Sequence, residues 1–239
     1  MKEMWDKKAA SYPRFTGEPS VFHRGLYAKI AEFGIKFEGK SVVDIGCGTG
    51  VHTLFLAQIC REITGMDISG EMLKVMVEDA AKFNISNLTA VQSDFKNFNP
   101  NCVYDVAFST MSPAIADEED FVKFINLGEK RVYLWWNKPR YSSVLELFYE
   151  GSQRGCFKEK ANFFEEYLRR ENIAFNSCVL EEFREQKRTL EEMTQNALWH
   201  LQIANFTHDE NVVRSRLQSI AQDGLVTEKI VSSMKLLVF

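Results

Sequence analysis

The chain has 239 residues, of which 45% are hydrophobic and 26% are charged, and its formal net charge is −4. This composition is typical of a globular protein, and the length fits one α/β domain with an insertion or one large and one small lobe. Lysines and arginines are scattered among acids, which argues against the basic stripe of a nucleic-acid-binding surface, so no nucleic-acid partner is expected.

The cysteines and histidines argue against disulfide and metal chemistry. The five cysteines are odd in number and far apart, and the four histidines lack metal-ligand spacing, so reduced thiols and no metal are expected. No apolar run is long enough to cross a bilayer, and the first residues lack the apolar core of a secretory signal. We therefore expect a cytoplasmic protein without a membrane partner, and its oligomeric state is left open.

Residues 1–38 predict a helical leader. Trp5, Ala9 and Tyr12 share one helix face, and Pro13 should end that face. A second helical pattern runs over residues 21–30.

Residues 42–50, which read VVDIGCGTG, are the most informative stretch. They predict a buried strand that ends in a glycine-rich turn, followed by a helix. Asp44 lies at the strand end, and Gly46, Gly48 and Gly50 alternate with other residues. Because glycine admits positive φ and a close backbone approach, such a turn at the carboxyl end of a strand can form a wall for a nucleotide-like ligand.

A dinucleotide-binding turn is the alternative interpretation. Its fingerprint, G-x-G-x-x-G, places the pyrophosphate at a helix N-terminus. Gly46 and Gly48 fit this pattern, but the third glycine position falls on Val51. The acid Asp44, two residues before the first glycine, favours a cation or an amine over a pyrophosphate. An NAD-dependent reductase is therefore disfavoured.

Two further predicted strands also lead into acids. The strand over residues 62–67 ends in Asp67, about twenty residues past the first glycine, which is the offset of a carboxylate that binds ribose hydroxyls. A helix with an apolar face that includes Met72 follows. The third strand, at residues 88–92, leads into Asp94, which can accept a purine amine, and Phe95, which can flank the ring.

Together these residues resemble the S-adenosylmethionine site of class I methyltransferases, over residues 40–136. The resemblance implies S-adenosylmethionine as cofactor and S-adenosylhomocysteine as product. It places the glycine turn around the methionine half, Asp67 on the ribose, Asp94 with Phe95 at the adenine amine, and Ile68 on the adenine face. The candidate cofactor-binding residues are Asp44, Gly46, Cys47, Gly48, Gly50, Asp67, Ile68, Met72, Asp94, Phe95 and Ser109.

The remaining pattern alternates strands and helices, which indicates a parallel sheet covered on both faces. Strands are predicted at residues 41–45, 63–66, 88–92, 104–108 and 131–136, and helices at 51–59, 71–83 and 118–127. Beyond residue 137 we predict helices at 142–149, 161–171, 189–201 and 209–222, and strands at 174–183 and 235–239.

The predicted fold is a Rossmann-like class I methyltransferase sheet, mostly parallel with an antiparallel last strand. It divides into a helical leader (1–38), an S-adenosylmethionine-binding α/β core (39–137) and a remainder with helical lid insertions (138–239).

The acceptor is expected beyond the carboxyl ends of the strands. Met111, Trp136 and Asn137 lie there in the predicted topology, and Arg140 could pair with an acidic substrate group. Tyr12 completes the substrate-binding candidates because its W-D-x-x-A-x-x-Y segment resembles the leader of small-molecule methyltransferases, which closes over the cofactor; burial against the core is the other interpretation. The residues after strand four lack the N-P-P-Y or D-P-P-Y tetrad, which argues against methylation of DNA adenine or glutamine amide.

Methyl transfer from a sulfonium is an in-line displacement that needs positioning and exclusion of water. No catalytic residue is therefore predicted, and His200 is a weaker candidate for a base. The leading hypothesis is a methyltransferase for an unidentified small molecule. A methyltransferase for protein or RNA, and a non-catalytic S-adenosylmethionine-binding protein, are the alternatives.

Overall fold

A computed structural model of the protein describes residues 2–149, 159–204, 206 and 208–239. The helices are α1 (Lys2–Lys8), α2 (Val21–Glu32), α3 (Val51–Ala57), α4 (Gly70–Lys82), α5 (Glu118–Leu127), α6 (Lys160–Arg170), α7 (Leu190–Ile203) and α8 (Glu210–Gln218). The strands are β1 (Ser41–Ile45), β2 (Glu62–Asp67), β3 (Leu88–Gln92), β4 (Tyr104–Thr110), β5 (Gly128–Trp136), β6 (Tyr141–Ser142), β7 (Asn176–Thr189) and β8 (Leu225–Val238).

The chain folds into two compact units. The first contains Met1–Trp135, Lys160–Cys178 and Lys235–Phe239, and the second contains Trp136–Glu159 and Val179–Met234. Both units are built from segments that are discontinuous in sequence.

The first unit holds a parallel sheet in the order β3-β2-β1-β4-β5. The end of β8 runs antiparallel beside β5, because Arg131 and Phe239 exchange two backbone hydrogen bonds of 2.7 and 3.1 Å. This confirms the predicted fold class. Every residue of β1 is buried, as expected for a strand covered on both faces.

The register of the sheet places the site. Asp44 in β1 pairs with Gly65 in β2 and with Phe108 in β4. The carboxyl ends of these strands therefore meet at one edge, where the loops after β1, β2 and β4 lie together. Below this edge, α6 covers the sheet, and the rings of Phe121 and Phe164 stack with centroids 4.1 Å apart.

The second unit has its own apolar core. Val144, Leu145, Met193, Leu201 and Val213 are buried together. The core lies among α7, α8 and the short turns after β6, which pairs antiparallel with β8. Helix α7 begins at Thr189 with the predicted capping box to Glu192, whereas the lid role of α7 and α8 stays a prediction.

The structure corrects three predicted elements. The helix expected over residues 142–149 is instead strand β6 followed by a single 3₁₀ turn at Leu145–Leu147, because Ser142 pairs with Ile230 of β8. Strand β8 starts ten residues earlier than predicted, at Leu225, and β7 runs on to Thr189. Charged residues on the exposed side of β7 conceal this strand in the sequence, and pairing with β8 stabilises its extended backbone.

Candidate functional site

The turn after β1 has the backbone that its glycines allow. Gly46, Gly48 and Gly50 adopt φ angles of 71°, 56° and 80°, all in the left-handed region. The N–H groups of Gly46 and Cys47 both donate to the Met66 carbonyl, at 2.7 and 3.0 Å, which ties the turn to β2.

Two of these glycines also lack space for a side chain. A Cβ atom on Gly46 would lie 1.8 Å from Ser112 Oγ, and one on Gly50 would lie 2.3 Å from Met76 Cγ. The loop after β4 and helix α4 thus press against the turn from two sides. Both the φ angles and the packing require glycine here.

Asp67, at the end of β2, holds the tip of the turn. Its Oδ2 accepts a hydrogen bond from Gly48 N at 2.9 Å, and its Oδ1 accepts one from Ser69 N at 2.8 Å. Burial raises the pKa of Asp67, although these N–H donors favour its ionised form. A carboxylate has about four acceptor positions, so acceptor capacity remains for a ligand hydroxyl.

Asp44 lies deeper, at the end of β1. It is 2% exposed, and its Oδ2 accepts a hydrogen bond of 2.6 Å from Thr53 Oγ1. Burial raises its pKa to about 7, an effect that Thr53 opposes and the neighbouring Asp67 increases. The edge of the sheet therefore carries two carboxylates close enough to repel each other, which favours a cationic ligand.

The leader lies against the turn. Thr49 Oγ1 donates to the Pro13 carbonyl at 2.5 Å, and the Tyr12 ring lies 3.8 Å from the place that a Cβ on Gly48 would occupy. Arg14 forms hydrogen bonds of 2.8 to 3.1 Å with both carboxylate oxygens of Asp79 in α4. These contacts place Tyr12 beside the glycine turn.

Comparisons with known proteins agree with this geometry. Residues 42–127 match the family model described as a methyltransferase domain. Residues 42–127 therefore carry a methyltransferase domain. This confirms the family expected from the sequence, whose cofactor is S-adenosylmethionine.

Three proteins illustrate the similarity. An uncharacterized protein of Haemophilus influenzae is 29% identical over 54% of this chain and 48% of its own length. Pavine N-methyltransferase of Thalictrum flavum is 32% identical over 38% of this chain and 26% of its own length. The crystal structure of YcgJ from Bacillus subtilis, 14% identical, covers 90% of this chain and 98% of YcgJ with a TM-score of 0.55, which shows a shared fold.

The chain thus spans about half the length, or less, of these two curated relatives. Other matched relatives are named as RNA methyltransferases.

The residues predicted to lie beside the adenine differ in accessibility. Asp94 is exposed and accepts hydrogen bonds from Asn97 N and Nδ2, at 2.9 and 2.7 Å, which lower its pKa. Ile68 is half-buried, whereas Phe95 is buried in the core of the first unit and Met72 is buried in α4. Their roles toward the adenine stay predictions.

The loop after β4 contains two further candidates. Ser109 is buried, and its Oγ donates to the Ile45 carbonyl at 3.1 Å, so it links β4 to β1. Met111 adopts a φ of 52°, a left-handed backbone that costs energy for a residue with a side chain. Such conformations concentrate at functional sites, which agrees with its predicted place in the substrate pocket.

The other substrate candidates lie in the second unit. Trp136 ends β5, and Asn137 donates from its backbone N to the Ser233 carbonyl at 2.8 Å. Arg140 lies 3.4 Å from Glu228, and its Nη1 lies 3.3 Å from His200 Nε2. His200 therefore contacts an arginine in addition to the neighbouring Trp199 ring.

Sequence patterns gave no indication of several residues that shape the site. Thr53, Ser112 and Met76 contact the turn or its acid from distant positions. Asp6 of α1 accepts a hydrogen bond of 2.6 Å from Ser69 Oγ, and its pKa falls to about 2 through its bonds to Lys2 and Ser69. These contacts join residues up to 66 positions apart, so no local spacing predicts them.

The sequence predicts reduced cysteines, no metal site and no membrane-spanning segment. Burial raises the pKa of Cys47 well above its usual value, so this thiol is a packing group and a poor nucleophile. Among the described residues the cysteines at 47, 60, 102 and 178 are free thiols, and Cys156 lies outside them. Within the same part of the chain we find no cluster of metal-ligating side chains and no helix long and apolar enough to span a bilayer.

Proposed function

We propose that the protein transfers a methyl group from S-adenosylmethionine to a small molecule by in-line displacement. One observation carries the proposal: the hydrogen bond between Asp67 and Gly48 joins the strand-two acid to the left-handed turn. This arrangement offers carboxylate acceptors for the ribose and a Cβ-free surface for the methionine half.

The acceptor lies, in this proposal, beyond the carboxyl ends of β4 and β5. Met111 after β4 and Trp136 at the end of β5 would position it, and Tyr12 would close the site from the leader. Since the sulfonium already activates the methyl group, these residues act by orienting the acceptor and excluding water.

Calorimetric titration with S-adenosylmethionine tests cofactor binding. Asp67→Ala should weaken binding by about 1–3 kcal/mol, since it removes the acceptor for buried hydroxyls. Asp94→Ala is the matched control and should cost less, because Asp94 is exposed and already paired with Asn97. Circular dichroism would confirm that both variants fold. No binding by folded protein at millimolar cofactor would overturn the proposal, and unchanged affinity in Asp67→Ala would contradict the ribose assignment.

A macromolecular acceptor is the second candidate, favoured by the relatives named as RNA methyltransferases. Incubation of a cell extract with the protein and methyl-tritiated cofactor separates the two. Label in the fraction of small molecules supports the proposal. Label confined to RNA or protein would assign the second candidate, and no label with intact cofactor binding would indicate a non-catalytic binding protein.

A further inference from the structure

The strands of the second unit have one face that helices cover. Arg188 Nη1 of β7 lies 3.3 Å from Glu228 Oε2 of β8, and Glu228 is fully buried. On the same side of β8, Val226 is buried in one apolar core with Met193 of α7 and Val213 of α8. Because side chains alternate along a strand, the even-numbered residues of β7 and β8 lie on this covered face, and the odd-numbered residues lie on the other.

Two contacts align β7 with β8. Towards one end, Glu165 accepts a hydrogen bond of 3.4 Å from Ser177 of β7 and pairs with Lys235 of β8. Towards the other end, Arg188 of β7 lies beside Glu228 of β8. Residue numbers therefore rise along β7 where they fall along β8, so the strands run antiparallel, and residues midway between the two contacts are cross-strand neighbours.

A row of apolar side chains crosses the odd-numbered face. Phe183 of β7 and Val231 of β8 lie midway between the contacts, and Val231 pairs directly with Tyr141 of β6. Residues that lie opposite each other in an antiparallel pair share a face. Phe183, Val231 and Tyr141 are 65%, 42% and 41% exposed, and Val179 on the same face is 47% exposed. An exposed apolar row that contains two aromatic rings is typical of an interaction surface.

The charges on this surface balance. We call the odd-numbered residues 179–187 and 225–231, together with Tyr141, the outer face. Its exposed charged residues are two acids and two lysines: Glu181, Glu185, Lys187 and Lys229. The whole chain has a formal net charge of −4, so two copies repel each other on average, whereas the outer face adds no net repulsion. A nucleic acid would require a basic surface, so a second copy of the chain fits this face better.

We propose that the outer face binds the outer face of a second copy of this chain around a two-fold axis. In such a contact each pair of residues occurs twice. Since β6 follows β5 along one edge of β8, β7 takes the other edge, and β8 lies in the middle. With the axis parallel to β8, Phe183 of each copy packs on Tyr141 of the other, and the two Val231 side chains meet between these aromatic pairs.

Sedimentation velocity of the full chain tests the proposal. The outer face is smaller than the roughly 20–30 residues a side of a standard interface, so we expect a reversible dimer with a dissociation constant in the micromolar range. The sedimentation coefficient should rise from that of a monomer to that of a dimer as the protein concentration increases from low micromolar to millimolar.

Variants locate the contact. Phe183→Asp should raise the dissociation constant about tenfold or more, because it places a charge in an aromatic contact that occurs twice. Val231→Lys should weaken the dimer as well, through a charge of the opposite sign. Val212→Asp is the matched control for Phe183→Asp: Val212 is 45% exposed on α8 of the same unit, outside the outer face, so the dissociation constant should not change. Circular dichroism would confirm that each variant folds.

Three results would overturn the inference. The first is a monomer at every concentration, which would leave the outer face to a different partner. The second is a dimer that Phe183→Asp and Val231→Lys both leave unchanged, which would place the contact elsewhere. The third is equal weakening by Val212→Asp and Phe183→Asp, which would show an effect of net charge alone.

Discussion

Gly46 adopts a left-handed backbone, and Ser112 lies where the Cβ of a larger residue would be. Gly46→Ala would bring the new Cβ to 1.8 Å from Ser112 Oγ, in addition to the cost of its φ of 71°. We expect a loss in unfolding free energy of about 3 kcal/mol, of which about 1–2 come from the backbone and the rest from overpacking. Chemical denaturation measures this loss.

Gly39 provides the matched control for that substitution. It has the same φ of 71°, but nothing lies within 4 Å of the place that its Cβ would occupy, so Gly39→Ala should show the backbone cost alone. Adding Ser112→Gly to Gly46→Ala leaves the Ser112 Cα, at 3.7 Å, as the nearest of the three contacts. Relative to Ser112→Gly alone, which loses the bond from Ala114 N, the double variant should show only the backbone cost of Gly39→Ala. Equal losses in Gly39→Ala and Gly46→Ala would contradict the packing argument.

Asp44 gives stability a pH dependence of defined sign. Its pKa is about 7 in the folded protein, against about 3.9 in an unfolded chain. The folded state therefore holds a proton that the unfolded state has lost between these values, so the unfolding free energy falls as pH rises from about 4 to 7. The fall attributable to Asp44 is at most about 4 kcal/mol, at about 1.4 kcal/mol for each pKa unit.

Asp44→Asn removes this fall. Relative to wild type, the variant should gain stability as the pH is raised from 5 to 7, as measured by denaturation at each pH. Asp105→Asn is the control, because hydrogen bonds from Ser41 lower the pKa of Asp105 to about 2, so its contribution is constant over that range. Parallel pH profiles for wild type and Asp44→Asn would show that Asp44 ionises normally.

The sequence predicts the position of a single residue where the signal lies in its neighbours along the chain. The alternating glycines and the strand-end acids Asp44 and Asp67 lie together at the sheet edge as their spacing indicated. The partners that limit them, Ser112 for Gly46 and Thr53 for Asp44, depend on tertiary packing and side-chain direction. A serine or a threonine in the sequence does not by itself indicate such a contact.

At the level of elements, the buried carboxylate of Asp79 in α4 holds residues 12–16 of the leader through Arg14. Asp79→Asn should weaken its bonds with Arg14 and lower the unfolding free energy by about 1 kcal/mol, since solvent at the half-exposed Arg14 reduces the usual value of a charged hydrogen bond. Amide hydrogen exchange over residues 12–16 should become faster. Glu78→Gln removes only an exposed partner of Arg14 and should change neither measurement. Unchanged exchange in Asp79→Asn would mean that Phe15 and the Thr49–Pro13 hydrogen bond anchor this segment without Arg14.

Elements of the core were predictable because each carries a complete local signal. Strands β1 and β3 and helix α5 have the bounds expected from apolar runs and caps. Beyond residue 137 the signals are tertiary: β6 is only two residues long, and it exists because β8 pairs with it. A pattern of apolar spacing over residues 142–149 cannot reveal such a partner.

At the scale of the whole molecule, the sequence indicated the fold class but not how the chain divides. The first unit takes residues from three separate segments, including the last five residues. Discontinuous units arise because β5, β7 and β8 pair across long stretches of chain, which composition and periodicity do not record. The proposed leader, core and lid remain functional divisions to be tested.

We infer that the acids and glycines at the edge of the sheet bind the adenosyl sulfonium. A crystal structure with S-adenosylhomocysteine is the decisive measurement. We expect ribose hydroxyls within about 3 Å of the Asp67 carboxylate, with the homocysteine along residues 46–50. A nucleoside bound elsewhere, or a site that stays empty at saturating ligand, would contradict it.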